Sequence, residues 1–362
     1  MATLVERIRP TVLFCRLFGM GFQREDSEMA FLEYWILLAF NLTLISYTVF
    51  TDIFQDLHIM KNLMDVMSFM TVIRYFTRTF VPVVAICSIL FTRNIIIKTV
   101  QTLDDLIPSV KRTPLSFYSW YFYGWLTLSL ATDYLQFFTF WISANFGIYS
   151  VRTLFHLTFY NIWISVPVAQ YVVLIMMIQN GIRGMNDDIT SISKWKSYRT
   201  RWKMLKDLAE YLTNYVFAAF IIVYVLFSMC ETFFFAFVSF LAFRESEKYR
   251  TSAWLITALM RARFVVHLFQ ICQNCKKEIM NIQNILNGVK TKGKSDVKVQ
   301  YASLYMLHTD FKLMPYAIFE LSTRNLLPMF TVVIVFLLFQ IQMKLFGNKN
   351  NNLTIKMLDK KM

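Results

Sequence analysis

The stretch that decides the fold of this chain is Leu326–Leu345, LLPMFTVVIVFLLFQIQMKL. Its centre, from Met329 to Ile341, contains no charged residue, and Gln340 is the one amide side chain placed deep within it. An apolar run of about 20 residues can cross a lipid bilayer as a helix. An amide at that depth needs a partner in protein or water. An apolar, β-branched helix with a glutamine near its end therefore suits the wall of a narrow pore.

The composition of the whole chain is that of a membrane protein. Of its 362 residues, 56% are hydrophobic and 17% are charged, and the mean hydropathy is +0.45. A soluble domain carries about 25% charged residues. The net charge of +14 lies in short connections between apolar runs, with no basic domain interleaved with aromatic residues. This arrangement argues against nucleic acid as a partner and favours the lipid bilayer.

Six further apolar runs predict an all-α, polytopic fold with seven transmembrane helices. The predicted spans are Tyr34–Phe54, Phe69–Phe91, Ser119–Trp141, Thr153–Ile178, Tyr215–Phe243, Ala253–Ile271 and Leu326–Leu345. The sixth span is interrupted by Arg261, Arg263 and His267, and the second contains Arg74 and Arg78. We expect these arginines to reach the interface or to face the bundle interior.

The basic residues of the connections predict the orientation. One side carries 22 of them and the other side 10, which places the N-terminus in the cytosol and the C-terminus outside. The predicted parts are a cytosolic segment (1–33), six membrane helices with a ligand pocket (34–271), a cytosolic connection that forms an anchor (272–325), a pore-lining helix (326–346) and an extracellular tail (347–362). A G-protein-coupled receptor would have the opposite orientation.

Two long connections contain helical patterns. After Ser197, apolar residues recur at helical spacing, which predicts an amphipathic helix; they are Trp202, Leu205, Leu208, Ala209 and Leu212. Lys276–Leu286 and Ser303–Leu313 show similar patterns. We interpret these segments as a cytosolic helical anchor. Helices that lie on the membrane surface are the alternative.

Motifs of known catalytic or metal chemistry are missing, so we expect no enzyme, cofactor or metal site. The sequence has no GxxxxGK[ST], GxGxxG, HExxH or GxSxG motif. Cys272 and Cys275 form one CxxC pair, and a zinc site needs a second pair of ligands. Asn352-Leu353-Thr354 is a glycosylation sequon, usable if the C-terminal tail is outside. The sequon at Asn41 lies inside the first span and should be inert.

The segment Phe319–Gln342 is similar to the C-terminal signature of the insect gustatory receptor family. That signature has a lead-in F-x-(I/L)-(N/S/T)-x-x-L-(L/F), followed by Thr-Tyr, five variable residues and Gln-Phe. The lead-in is matched by Phe319, Leu321, Ser322 and Leu326. Gln340 takes the place of the signature glutamine, whereas Val333-Ile334 replaces Thr-Tyr and Ile341 replaces the final phenylalanine.

The resemblance implies a tastant-gated, non-selective cation channel in the plasma membrane of gustatory neuron dendrites. Four subunits, identical or of different gustatory receptors, would surround a pore lined by their seventh helices. Gln340 would then contact ions, and Val333, Phe336 and Leu337, on the same helix face, would form a dewetting gate. Packing of Phe336 and Leu337 against neighbouring helices is the alternative. The divergence of the motif favours bitter or other non-sugar tastants.

The resemblance also implies a tastant pocket among the second to sixth helices. Asp133, beside Tyr134 and Gln136, lies in the middle of the third span, and intramembrane carboxylates are candidates for function. Asp133 contacts a ligand or pairs with Arg74 or Arg78. Aromatic walls and further polar groups for such a pocket would come from Trp141, Trp163, Gln170 and Glu231. A transporter is a second rival, but we see no internal repeat.

Overall fold

Each of the seven predicted spans overlaps a long helix. The computed structural model describes residues 9–18, 28–56, 66–106, 115–143, 151–190, 192–244, 246, 248–291 and 311–359, and within these every regular element is a helix. The α-helices are α1 Arg9–Leu17, α2 Glu28–Asp56, α3 Val66–Leu106, α4 Leu115–Ser143, α5 Val151–Asp188, α6 Ile192–Tyr211, α7 Ala218–Arg244, α8 Lys248–Thr291 and α9 Thr323–Asp359. The predicted all-α fold is confirmed.

Four segments of the described chain are long and apolar enough to cross a membrane. They are Thr158–Asp188 of α5, Ala218–Arg244 (α7), Lys248–Leu286 of α8 and Thr323–Gln342 of α9. A fifth candidate lies in α3, where two apolar halves meet at a bend of 55°. Near this bend the Thr92 hydroxyl donates a hydrogen bond to the Ser88 carbonyl (2.6 Å), a contact that often accompanies helix bending. The chain is therefore a polytopic helical membrane protein.

Helix α5 forms the centre of the bundle. Apolar residues occur on all of its faces, and 94% of its most apolar 18-residue stretch is buried within the chain. A helix that is hydrophobic all round belongs in the interior. It packs against α3, α4, α6 and α8, and its side chains Trp163, Tyr171 and Ile178 are almost completely buried.

Helix α9 lies at the edge of the bundle. Only 6% of its most apolar 18-residue stretch is buried, although this stretch is as hydrophobic as that of α5. Its contacts are with α7 and α8, where Val333 and Leu337 pack on a small apolar cluster. We call this group the α7/α8 cluster; it consists of Phe233, Phe234, Phe235, Ala242, Trp254 and Ala258. Helix α9 continues through residues 347–359, which the sequence analysis assigned to a tail.

Helices α5, α6 and α8 pack together beyond the predicted spans. The predicted amphipathic helix corresponds to α6, whose Trp202 and Leu205 are buried in the main core of the chain. A Cβ at Gly181 of α5 would lie 3.2 Å from Leu205 Cδ1, so glycine permits close approach of the two helices. The Asn186 amide of α5 donates to the Glu278 carbonyl of α8 at 2.8 Å. These contacts join the three helices into one unit.

The chain continues from α6 into α7, and the two other segments predicted to be helical differ in outcome. A five-residue π-helix, Leu212–Val216, joins α6 to α7, and the Phe217 N–H donates to the Leu212 carbonyl at 2.9 Å. Predicted helix Lys276–Leu286 lies within α8. Of Ser303–Leu313, residues 303–310 lie outside the described part of the chain, and 311–313 are not helical.

Candidate functional site

A buried polar cluster joins α4, α5 and α8 in the interior of the bundle. The carboxylate of Asp133 accepts hydrogen bonds from the Arg261 guanidinium and from the Asn161 amide. The hydroxyls of Ser129 and Ser165 each lie 2.7 Å from Asn161 Oδ1 and 2.7 Å from each other. We call these five residues the Asp133 cluster. All five are at most 5% exposed, so the cluster is an internal network of three helices.

The charges of the cluster are compensated inside the chain. Arg261 and Asp133 form an ion pair, and the Arg261 guanidinium lies 5.9 Å from the centre of the Phe227 ring of α7. A buried charge without a partner costs several kcal/mol, and pairing together with hydrogen bonds removes most of that cost. The network therefore fixes the relative positions of α4, α5 and α8, with α7 in contact through Phe227.

The partner of Asp133 is an arginine that the sequence analysis did not select. The prediction named Arg74 or Arg78, and their side chains lie outside the described part of the chain. Depth in the membrane could have pointed to Arg261. Asp133 lies eight residues before the predicted end of its span, and Asn161 and Arg261 lie eight residues after the predicted starts of theirs. With alternating helix directions these three positions share one depth, about 12 Å from the same surface.

The other predicted ligand residues of α4 and α7 are near this level of the bundle. Tyr134 of α4 lies 3.1 Å, hydroxyl to hydroxyl, from Thr158 of α5. Glu231 is completely buried on α7, one turn beyond the residue that contacts Arg261. Gln136 and Trp141 belong to α4, and their side chains are outside the described part.

Trp163 and Gln170 of α5 face a different side. The Trp163 indole donates to Asn41 Oδ1 of α2 at 3.1 Å. Gln170 hydrogen-bonds the thiol of Cys15 of α1. The Asn41 amide also donates to the Leu17 carbonyl at 3.2 Å. These two residues of α5 therefore tie α1 and α2 to the bundle, and the structure does not bring them together with Asp133.

A cleft of about 250 Å³ opens between α4 and α8. Its walls include Trp125, Arg263 and His267, and Nε2 of His267 is hydrogen-bonded to the Tyr121 hydroxyl. We call it the α4/α8 cleft. None of the predicted ligand residues whose side chains are described lines it.

The four predicted pore residues of α9 share one side of that helix. Val333 and Leu337 pack on the α7/α8 cluster, and the Phe336 ring lies 5.0 Å from that of Phe233. Gln340 is partly buried, and its Oε1 accepts no hydrogen bond within the described part of the chain. The opposite side is exposed and consists of Thr331, Val332, Val335, Leu338, Phe339 and Gln342. The contacts with the α7/α8 cluster are of the kind that the packing alternative expects for Phe336 and Leu337, and Val333 packs in the same way.

The two sequons differ in their surroundings. Asn41 is 2% exposed, with its amide engaged by α1, α2 and α5. Asn352 belongs to the last turns of α9, and its side chain lies outside the described part. All five cysteines of the chain carry free thiols.

The helices, their spans and the internal ion pair define a polytopic membrane protein with a polar cluster buried in a largely apolar interior. The pattern of the family described as 7tm Chemosensory receptor matches residues 8–346, and the chain belongs to this family. It is thus a chemoreceptor of the membrane, from a family that is not one of enzymes, and the resemblance to insect gustatory receptors is confirmed at the level of the family. No curated protein matches the chain closely enough to count as a relative.

Proposed function

We propose that the protein is a subunit of a tastant-gated, non-selective cation channel. Its ligands are small-molecule tastants, bitter or other non-sugar compounds, and it works in the plasma membrane of gustatory neuron dendrites. Four subunits, identical or of different gustatory receptors, assemble around α9. The observation that carries this proposal is the exposure of α9, the one described span that its own chain leaves almost uncovered.

Hydropathy does not explain the position of α9. The spans in α5 and α9 have nearly equal mean hydropathy, 1.8 and 1.9. Yet 94% of the most apolar 18-residue stretch of α5 is buried within the chain, against 6% of that of α9. A helix at the edge of each subunit can meet its copies around a common axis. Helix α9 also carries a polar group, Oε1 of Gln340, that accepts no hydrogen bond from the residues that the structure describes. Water in a pore, or a second subunit, would supply the missing hydrogen bond.

The packing of α9 supports a division of roles among the predicted pore residues. Val333 and Leu337 hold α9 on its own subunit. Phe336 remains 40% exposed although its ring contacts Phe233, and Gln340 flanks the same side. We assign the hydrophobic gate to Phe336 and the polar contact to Gln340. A shift of α7 would then reach the gate through the ring of Phe233.

The Asp133 cluster supplies a route from a pocket to that gate. It connects α4, α5 and α8, and Arg261 reaches α7 through the Phe227 ring. A tastant bound among these helices, beside Tyr134 or Glu231, would alter their spacing. Because α9 rests on α7 and α8, such a change would be transmitted to α9. In this proposal Asp133 holds the helices in register rather than binding the ligand itself.

The test is whole-cell current from cells that express the chain, during application of a tastant panel under G-protein blockade. We expect a ligand-evoked cation current whose ion selectivity changes in Gln340→Ala. Gln342→Ala is the matched control, because it removes the same side chain from the exposed side of α9 two residues later. A response that requires G proteins would overturn the proposal. Silence of the chain alone is followed by co-expression with other gustatory receptor subunits, and continued silence would also count against it.

A further inference from the structure

The α4/α8 cleft carries a positive charge on the outer surface of the bundle. Arg263 lines the cleft and is exposed, and no carboxylate of the described residues lies within ion-pair distance of it. Arg261, two residues earlier, points inward and is neutralised by Asp133. The two arginines of the sixth span thus have different environments. An arginine on the membrane-facing surface requires an anion or access to the interface.

The rest of the cleft is aromatic and open. The Trp125 ring stacks on that of His267 at 5.8 Å and lies 5.0 Å from that of Phe264. A Cβ at Gly124 would meet no atom within 4 Å, so this position leaves the wall of the cleft free. The volume of about 250 Å³ is below the usual range for sites that enclose a small molecule, about 300–1,000 Å³. The cleft therefore suits part of a molecule whose remainder lies in the bilayer.

The predicted spans place the rim of the cleft near one membrane surface. Tyr121 lies two residues after the predicted start of its span, and His267 lies four residues before the predicted end of its own, so both are within about 6 Å of that surface. Arg263 lies one helical turn deeper than His267. Tryptophan and tyrosine are enriched at this level of membrane proteins. An arginine here can extend to a lipid phosphate while its methylene groups remain among apolar atoms.

We propose that the α4/α8 cleft binds one anionic phospholipid. The guanidinium of Arg263 binds the phosphate, and the hydrogen-bonded pair of Tyr121 and His267 forms the polar rim beside it. An acyl chain lies along Gly124 and Trp125. Basic pockets between membrane helices are known to hold anionic headgroups. This site is separate from the Asp133 cluster and from α9, and it does not depend on the proposed channel function.

The experiment is native mass spectrometry of the full-length chain, purified in detergent and equilibrated with phosphatidylglycerol or phosphatidylcholine. We expect the wild type to retain one phosphatidylglycerol in preference to phosphatidylcholine. Arg263→Gln should weaken retention about tenfold, the effect of one charge-assisted hydrogen bond, and Arg263→Lys should preserve most of it. Arg244→Gln, at the exposed end of α7, controls for the loss of one positive charge.

A second pair of variants tests the apolar part of the site. Gly124→Phe fills the cleft and should abolish retention of the lipid, whereas Gly124→Ala should have little effect because its Cβ enters free space. Unchanged melting temperatures would show that both variants fold. Equal retention by the wild type and Arg263→Gln, or by the wild type and Gly124→Phe, would overturn the proposal. So would displacement of the lipid by millimolar inorganic phosphate, which would indicate a site for free anions.

Discussion

Arg261 and Asp133 lie 128 positions apart in the chain and bind each other in the interior of the bundle. The first belongs to α8 and the second to α4. Asn161 of α5 binds the second oxygen of the same carboxylate, so each oxygen of Asp133 has its own donor. One carboxylate thus holds three membrane helices.

Removal of either charge should destabilise the protein strongly. Asp133→Asn leaves the Arg261 guanidinium buried without its counter-charge, and Arg261→Gln leaves the carboxylate. Breaking a buried pair in this way costs about 3–5 kcal/mol. We expect both variants to melt well below the wild type when thermal unfolding is followed by size-exclusion chromatography in detergent.

A double variant tests whether the two charges stabilise the protein as a pair. Asp133→Leu combined with Arg261→Met removes both charges and retains most of the volume, so it should recover most of the lost stability. The two single losses should accordingly exceed the loss in the double variant by at least 1 kcal/mol in a double-mutant cycle. Additive losses would mean that the pair contributes nothing as a pair.

The contact of α9 with α7 gives a second prediction. Phe336→Ala removes a ring that lies 5.0 Å from that of Phe233, and an aromatic pair contributes about 0.5–1.5 kcal/mol beyond its buried area. Val332→Ala is the control, because Val332 is 69% exposed on the other side of α9. We expect a clear drop in the melting temperature of the single subunit for Phe336→Ala and a change of less than about 0.5 kcal/mol for Val332→Ala. Equal effects would contradict the described orientation of α9.

Gln340 gives a third prediction, in which stability and current change in opposite directions. In the subunit its Oε1 has no hydrogen-bond partner within the described residues, so Gln340→Leu removes an unsatisfied carbonyl. The melting temperature of the isolated subunit should rise, by an effect of about 1 kcal/mol. Single-channel recording should show a lower conductance, because the polar contact for ions is lost. A stabilised subunit with unchanged conductance would remove Gln340 from the pore.

Glycosylation provides a fourth prediction, which tests the orientation. Thr354→Ala destroys the sequon at Asn352 and should abolish the mobility shift that a glycosidase produces on a gel. Thr43→Ala destroys the sequon at Asn41 without changing that buried asparagine, and should leave the shift intact. A wild-type chain without any shift would argue against an extracellular C-terminus.

The helices of the bundle could be predicted because their determinants are local. An apolar run of about 20 residues crosses a bilayer as a helix, in which the backbone hydrogen bonds are all made within the segment. The apolar residues of α6 recur at helical spacing, and Trp202 and Leu205 are buried as this pattern requires. Several helices extend beyond the predicted spans. Their extensions carry buried residues such as Ile182 and Ile282, which pack against other helices although they lie outside the long apolar runs.

The candidate site could be predicted only in part, because it depends on how each helix is rotated. Spacing alone places Val333, Leu337 and Gln340 on one side of α9. It does not say whether that side meets a pore or α7, which depends on residues such as Phe233 more than 90 positions away. The same holds for Asp133: the predicted spans give Arg261 the same depth, but they do not say which side of α8 faces Asp133.

The separation of Asp133 and Arg261 in the sequence also determines the order in which they are synthesised and enter the membrane. Asp133 enters the membrane well before Arg261 has been synthesised, and the ribosome needs roughly 6 to 26 seconds to add the 128 residues from position 134 to Arg261. A carboxylate alone at mid-membrane costs about 2.5–3.5 kcal/mol on insertion scales. Asn161 follows Asp133 after only 28 residues, so its amide is synthesised well before Arg261. We therefore expect the asparagine that completes the network in the folded receptor to act also as a temporary partner of Asp133 during membrane insertion.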